Sequence, residues 1–361
     1  MSGRGPVARG VTVAAMAALM VGLWASPAAA HAIGGVEATN YRTEITGISP
    51  PVAGLTFRVR DLGGRFEAVN DTGADLVVLG YQNEPYLRVG PAGVFENRRS
   101  PSLYQDRETR PGVLVSLPPE ADPTAPPEWH RRSGGRSVSW PDHRIRWGQS
   151  DPESVRQNPG VAQTVVSRWI VPFTHDGSSI VITGRIAWVP GPAAWPWFAA
   201  AAVLFGATVA AANSRRWAGL MSGALAVLLA VDAVRLYGAA TAAGGSVAAG
   251  LARAALAGVL EIAALAGGLW AIGALQQRKA VGAYAAMAVG MVLGFVSGVG
   301  DLLNLAYSQV PTSLPVDFAR AAVPVCLGIG FGLLAGGFLA LRNLGATAND
   351  PLASGVAVAG R

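Results

Sequence analysis

The chain has 361 residues, 51% of them hydrophobic and 14% charged, with a mean hydropathy of +0.36. That balance is too apolar for an ordinary water-soluble protein. The formal net charge is +6, but the basic residues are scattered, and Lys279 is the sole lysine among 28 basic residues. Such an arginine bias fits a GC-rich genome better than a nucleic-acid partner, and none is expected. The single cysteine, Cys326, lies in the last apolar run, which excludes a disulfide framework and a Cys-rich zinc pattern.

In chain order, residues 1–30 read as a secretory signal peptide. Arg4 and Arg9 precede an apolar stretch, VTVAAMAALMVGLWA, and small residues close it. Cleavage after Ala30 leaves His31 as the new N-terminus, and cleavage after Ala32 removes it. An uncleaved first membrane helix is the alternative reading.

Residues 31–192 carry strand signals. LTFRV alternates apolar and polar positions through Leu55, Phe57 and Val59, as a half-buried strand does. DLVVLGY and GVLVSL are short apolar runs between turn signals. QTVVSRWIVPF and SSIVITGRIAWV flank His175-Asp176-Gly177, which reads as a hairpin turn. Asn70-Asp71-Thr72-Gly73 marks another turn, and residues 118–128 read as a proline-rich loop or an interruption between two sub-lobes. Short strands and frequent turns predict an all-β, β-sandwich-like domain, exported behind the signal peptide.

Residues 188–198, WVPGPAAWPWF, mark the entry to the membrane, because Trp188, Trp195 and Trp197 suit the headgroup region. Beyond them five helical spans are expected, at 195–212, 217–237, 247–275, 281–306 and 318–341. Each is long enough for a hydrocarbon core of about 30 Å. Arg215 and Arg216 follow the first span, Arg278 and Lys279 the third, and Arg342 the fifth. The positive-inside rule then places the C-terminus in the cytoplasm and residues 31–192 outside a bacterial plasma membrane. Residues 343–361 read as a disordered cytoplasmic tail.

Within the spans, Gly290, Gly294 and Gly298 recur at four-residue spacing, as do Gly328, Gly332 and Gly336. Small residues in that pattern let helices approach closely, within the bundle or against a membrane-protein partner. Met287 and Met291 share a helix face, a packing arrangement that also has soft-metal donors. Asp232 and Arg235 are three apart and should pair. Arg253, Glu261 and Asp301 lie deeper. Intramembrane ionisable groups mark a pathway or a buried ion pair, and Arg253 with Glu261, or an arginine with Asp301, are the expected pairs.

The four histidines, His31, His130, His143 and His175, all fall in the exported domain, which has no Met and no Cys. Nitrogen ligation of copper(II) therefore suits it better than a soft copper(I) site. A free His31 amine and ring form a two-point chelate. His143 is the preferred third ligand, Asp142 its carboxylate neighbour, and His130 the second choice. His175 reads as a solvated turn residue. GxSxG, P-loop and HExxH motifs are absent, and no catalytic residue and no other cofactor is expected.

The stretches HAIGGVEATNYRTEITGISPPVAGLTFRVRD, LGYQNEPYLRV, SPSLYQDR, WPDHRIRW and WIVPF…GRIAWVPGPAAWPW together resemble a family of uncharacterised actinobacterial membrane proteins. Those combine a signal peptide, an exported β domain and C-terminal helices. The family pattern reads Trp-His-Asp-His-Arg with a further histidine before the final tryptophan. Here Pro141 and Arg146 stand at those places, and Asp142 and His143 match. A mature N-terminal histidine on a β domain is also similar to periplasmic copper-resistance proteins of the C type and to the soluble subunit of particulate methane monooxygenase, which implies copper. The resulting expectation is a plasma-membrane protein that binds a ligand, copper among the candidates, at the cell surface without catalysis. The alternatives are a transporter or permease-like component using Glu261 and Asp301, or a structural, partner-binding membrane protein.

Overall fold

The computed structural model describes residue 36 and residues 38–107, 115–242 and 247–348. The expected signal peptide, His31 and the last residues of the tail lie outside them. The chain divides into two compact units, one mostly β and one helical.

The β unit comprises residues 38–192 with a short segment, residues 307–311. Its strands are β1 Tyr41–Ser49, β2 Leu55–Arg60, β3 Arg65–Asn70, β4 Leu76–Leu79, β5 Pro85–Gly90, β6 Gly93–Asn97, β7 Trp129–Ser133, β8 Ser137–Trp140, β9 Gln163–His175 and β10 Ser178–Trp188. A seven-stranded sheet runs β1-β10-β9-β4-β5-β6-β7, and a three-stranded sheet runs β2-β3-β8. All pairings are antiparallel.

The period-two pattern explains the packing. Trp169, Val171 and Phe173 on β9 and Ile180 and Ile182 on β10 are buried, as are Phe66 and Ala68 on β3 and Val138 and Trp140 on β8. These inner faces share one core, a β-sandwich. Aromatic rings join the layers: Phe57 lies 5.0 Å from Phe173 and Phe66 lies 6.1 Å from Trp169, centroid to centroid.

The expected hairpin is present. His175 pairs with Ser178, and Asp176 and Gly177 between them have φ of 49° and 73°, the geometry of a type I′ turn. The Asn70–Gly73 turn is pinned by buried Asn70, whose amide donates to the carbonyls of Ala74 and Val89, both at 2.8 Å. GVLVSL differs from expectation: Val115, Ser116 and Leu117 have no strand structure and Leu117 is exposed, while residues 112–114 lie outside the described part. Val115 and Leu117, beside the proline-rich segment, have no partner strand among the described residues to bury against.

The helical unit contains α1 Trp195–Ala212, α2 Trp217–Ala242, α3 Val247–Ala257, α4 Val259–Gln276, α5 Ala280–Leu293 and α6 Val316–Ala348. Among the described residues, five helices are long and apolar enough to cross a membrane: α1, α2, α4, α5 with the turn after it, and α6. The chain is thus a multi-pass membrane protein with an N-terminal antiparallel β domain.

Two spans depart from the expected ones. The third breaks at Gly258, where φ is −105° and ψ 33°. The 11-residue α3 rises only about 16 Å, too short to cross alone. The fourth leaves α-helical geometry at Gly294, continues as a π turn through Val299, and passes into a 3-10 turn at Leu302–Leu305. Helix α6 runs on to Ala348 past the expected tail boundary, and Pro324 lies inside it.

Both glycine stripes are used inside the bundle. Gly328, Gly332 and Gly336 of α6 abut Ala201, Thr208 and Ala212 of α1, while Gly290 of α5 lies against the backbone of Gly330. Met287 fits the hollow left by Gly337, so its thioether is engaged in packing. The glycine faces therefore serve contacts within the chain.

A side chain at Gly328 would place its Cβ 2.5 Å from the Ala201 carbonyl oxygen, whereas one at Gly267 of α4 meets nothing within 4 Å. Gly328→Val should cost about 1–3 kcal/mol by overpacking. Gly267→Ala should match or exceed the parent. Thermal unfolding of both variants in detergent checks the difference.

Candidate functional site

The helical unit assembles a polar cluster around one guanidinium. Asp232 and Arg235 share a face of α2 because they are three residues apart. Glu261 stands in the first turn of α4, placed there by the break at Gly258. Ser297 lies in the π turn after α5, and Asp301 follows that turn. A π turn shifts the side chains beyond it around the helix axis, and such turns recur at functional sites.

The contacts radiate from Arg235. Its Nε donates to Asp232 Oδ1 at 3.0 Å, Nη1 to Asp301 Oδ2 at 2.8 Å and Nη2 to Ser297 Oγ at 3.1 Å. Nη2 also pairs with Glu261. Ser297 Oγ donates to Glu261 Oε1 at 2.8 Å, so the serine links the guanidinium to the carboxylate. Asp232, Glu261 and Ser297 are almost fully buried, and Asp301 retains 23% side-chain exposure. The second oxygen of Asp232, Oδ2, is buried with no hydrogen bond.

The sequence reading anticipated the Asp232–Arg235 pair and singled out Glu261 and Asp301 as ionisable groups within the spans. It did not bring them together. Glu261 and Asp301 both meet Arg235, and the side chain of Arg253 lies outside the described residues. Glu261 stands in the first turn of a restarted helix and not within one continuous 247–275 span. Ser297 was missed. Its signal was a lone hydroxyl followed by two glycines in FVSGVG, four residues before Asp301.

A second polar cluster closes the loop end of the sandwich. Glu84 is buried and accepts from Ser100 Oγ at 2.6 Å, Ser102 Oγ at 2.7 Å and Gln82 N at 2.9 Å. Burial works against its charge, but these donors more than offset that and hold its carboxyl below the usual range. Asp142 takes a two-point contact from Arg144, Nε to Oδ1 at 2.9 Å and Nη2 to Oδ2 at 2.7 Å, and Trp140 Nε1 adds a bond at 3.1 Å. Arg144 lies over the Tyr81 ring, 5.0 Å from its centroid. Burial pushes the Asp106 carboxyl up to about 7 against the opposing bonds from Tyr81 and Tyr86, with Asp142 adding to the rise. LGYQNEPYLRV, SPSLYQDR and WPDHRIRW, separate in sequence, meet at this cluster.

The predicted metal candidates are dispersed. His31 lies outside the described residues. His143 is exposed in the 3-10 turn after β8, its backbone N–H donating to the Tyr81 hydroxyl at 3.0 Å and its ring edge-on to Tyr81. Both oxygens of Asp142 are engaged by Arg144 and Trp140. His130 on β7 lies 3.0 Å from Glu128, and His175 Nε2 lies 2.9 Å from Thr72 Oγ1. Among the described residues, no three His, Cys, Asp or Glu side chains are grouped as a metal ion requires.

Comparison with protein-family models, with curated proteins and with solved structures returns no match. The fold class and the membrane character therefore rest on the chain's own architecture.

Removing the hub should expose its importance. Arg235→Met leaves three carboxylates facing one another in an apolar bundle, and breaking a buried pair this way costs about 3–5 kcal/mol. Adding Glu261→Gln to that variant should recover part of the loss, because it removes one of the stranded charges. Thermal unfolding of the single and double variants reads both effects.

Proposed function

We propose that the helical unit is a transporter or permease-like component that handles protons or small cations at the Arg235 cluster. The extracytoplasmic β-sandwich serves as its binding domain. The supporting observation is the charge count: among the described residues, one guanidinium faces Asp232, Glu261 and Asp301, drawn from separate helical segments. A structural ion pair in an apolar bundle is cheapest when balanced. An excess of carboxylates, placed where helices are broken or rewound, is what a cation or proton site requires. Partial exposure of Asp301 gives the cluster an entry, whereas Asp232 and Glu261 form its interior.

The arginine and lysine distribution supports the orientation. Arg215 and Arg216 lie between α1 and α2, Arg278 and Lys279 between α4 and α5, and Arg342 toward the end of α6. These positions go to the cytoplasm by the positive-inside rule and leave residues 31–192 outside. A reporter fused after Arg361 should be active in the cytoplasm, and activity confined to the exported compartment would reverse the orientation.

The transport reading is tested in proteoliposomes. The parent should dissipate an imposed proton or sodium gradient, and Asp301→Asn should slow it by about tenfold or more while melting like the parent. Glu261→Gln separates the roles. A variant with intact stability and lost flux supports a pathway, and one that loses stability in proportion to flux supports a structural pin. Parent vesicles that leak no faster than empty ones would end the proposal.

A further inference from the structure

We propose that strand β7, the free edge of the seven-stranded sheet, is a docking site for an extended acidic polypeptide that adds to the sheet as a further strand. Strand β7, Trp129–Ser133, ends the sheet and pairs with β6 on one side. Its other side presents backbone N–H and C=O groups that no strand among the described residues takes up. The opposite end of the sheet is closed differently. There residues 307–311 cap the start of β1: Thr39 bridges Gln309, and Gln309 Nε2 donates to the Tyr41 carbonyl at 2.7 Å. An uncovered row of backbone groups is a template for another strand.

The side chains of the edge choose which strand. Arg131, Arg132 and Ser133 are exposed. Glu128, the acid just before the strand, is engaged by His130 Nε2 at 3.0 Å and lies 3.7 Å from Arg99. Among the described residues Arg131 and Arg132 make no ion pair. The register shift sets Val94 opposite Ser133 and Phe95 opposite Arg131, which leaves Arg132 with no residue across from it. Trp129 is braced at the start of the strand, because the Arg88 guanidinium lies 5.0 Å from its ring centroid and 4.5 Å from that of Phe95.

Charge then separates the possible occupants. Opposite charges across a strand pair attract and like charges repel. A second copy of β7 laid antiparallel on the first would set arginines against arginines. A polyanion without a peptide backbone would meet the charge but leave the edge groups unpaired. Edge arginines also deter aggregation, and an acidic strand is the class they do not deter. The edge belongs to the β unit, so peptide binding there is independent of ion flux through the helices.

The test uses full-length protein in detergent and a short synthetic peptide of alternating glutamate and valine. The peptide should bind and slow amide exchange in residues 129–133 by about tenfold, and a lysine–valine peptide should not. Methylating alternate backbone nitrogens of the glutamate peptide keeps its charge, removes its edge donors and should abolish the protection. Arg131→Glu combined with Arg132→Glu, both at exposed positions, should weaken binding of the unmethylated peptide about tenfold or more while melting like the parent. No protection in the parent, or undiminished binding in the double variant, overturns the proposal. Equal protection by the methylated peptide or by inorganic polyphosphate overturns it in favour of a charge patch. Protection that grows with protein concentration in the absence of peptide overturns it in favour of a second copy.

Discussion

One guanidinium in an apolar bundle organises the helical half of this protein. Arg235 cannot shed its proton in practice, so it carries a full charge wherever the fold puts it. The fold answers by bringing Asp232, Glu261, Ser297 and Asp301 to its donors in different directions. Each of those residues arrives through an irregularity or a helix period. Asp232 is one turn away on α2. Glu261 follows the break at Gly258, and Ser297 and Asp301 sit in and after the π turn. The irregular backbone and the buried charge are one feature, because straight α4 and α5 helices would direct these side chains differently.

Glycine makes that geometry affordable in space. Helix α6 meets α1 through Gly328, Gly332 and Gly336, and meets α5 through Gly330 opposite Gly290. Close backbone approach replaces the hydrophobic drive that is missing between helices in lipid. The sandwich follows different physics. Water is available outside it, so its core is large aromatic and β-branched side chains such as Phe66, Trp140, Phe173 and Ile182. Its buried charges are confined to the loop end, where Arg144 satisfies Asp142 and hydroxyls satisfy Glu84.

Much of the fold was legible because it rests on local periodicity. Alternation in LTFRV and the Asp176-Gly177 turn identify strands β2, β9 and β10, and apolar length identifies the membrane helices. The helix break at Gly258 was not legible, since a single glycine in an apolar run reads as packing as readily as a break. The site was legible only in its parts. Asp232 and Arg235 are neighbours in sequence, but Arg235 to Asp301 spans 66 positions, and that pairing depends on helix order and rotation that hydropathy does not encode. At the loop end, Ser100, Ser102 and Asp106, the partners of Tyr81 and Glu84, lie beyond two further strands, so no local pattern connects them.

The central claim is that Arg235 serves as a three-way fork and not merely as a positive charge. Lysine keeps the charge but concentrates it on one nitrogen, which cannot reach carboxylates lying in divergent directions. The melting temperature of full-length Arg235→Lys in detergent is the direct measurement. The account predicts a loss close to that of Arg235→Met, with both well below the parent. A lysine variant that melts with the parent would contradict it, and the cluster would then need only a charge at position 235.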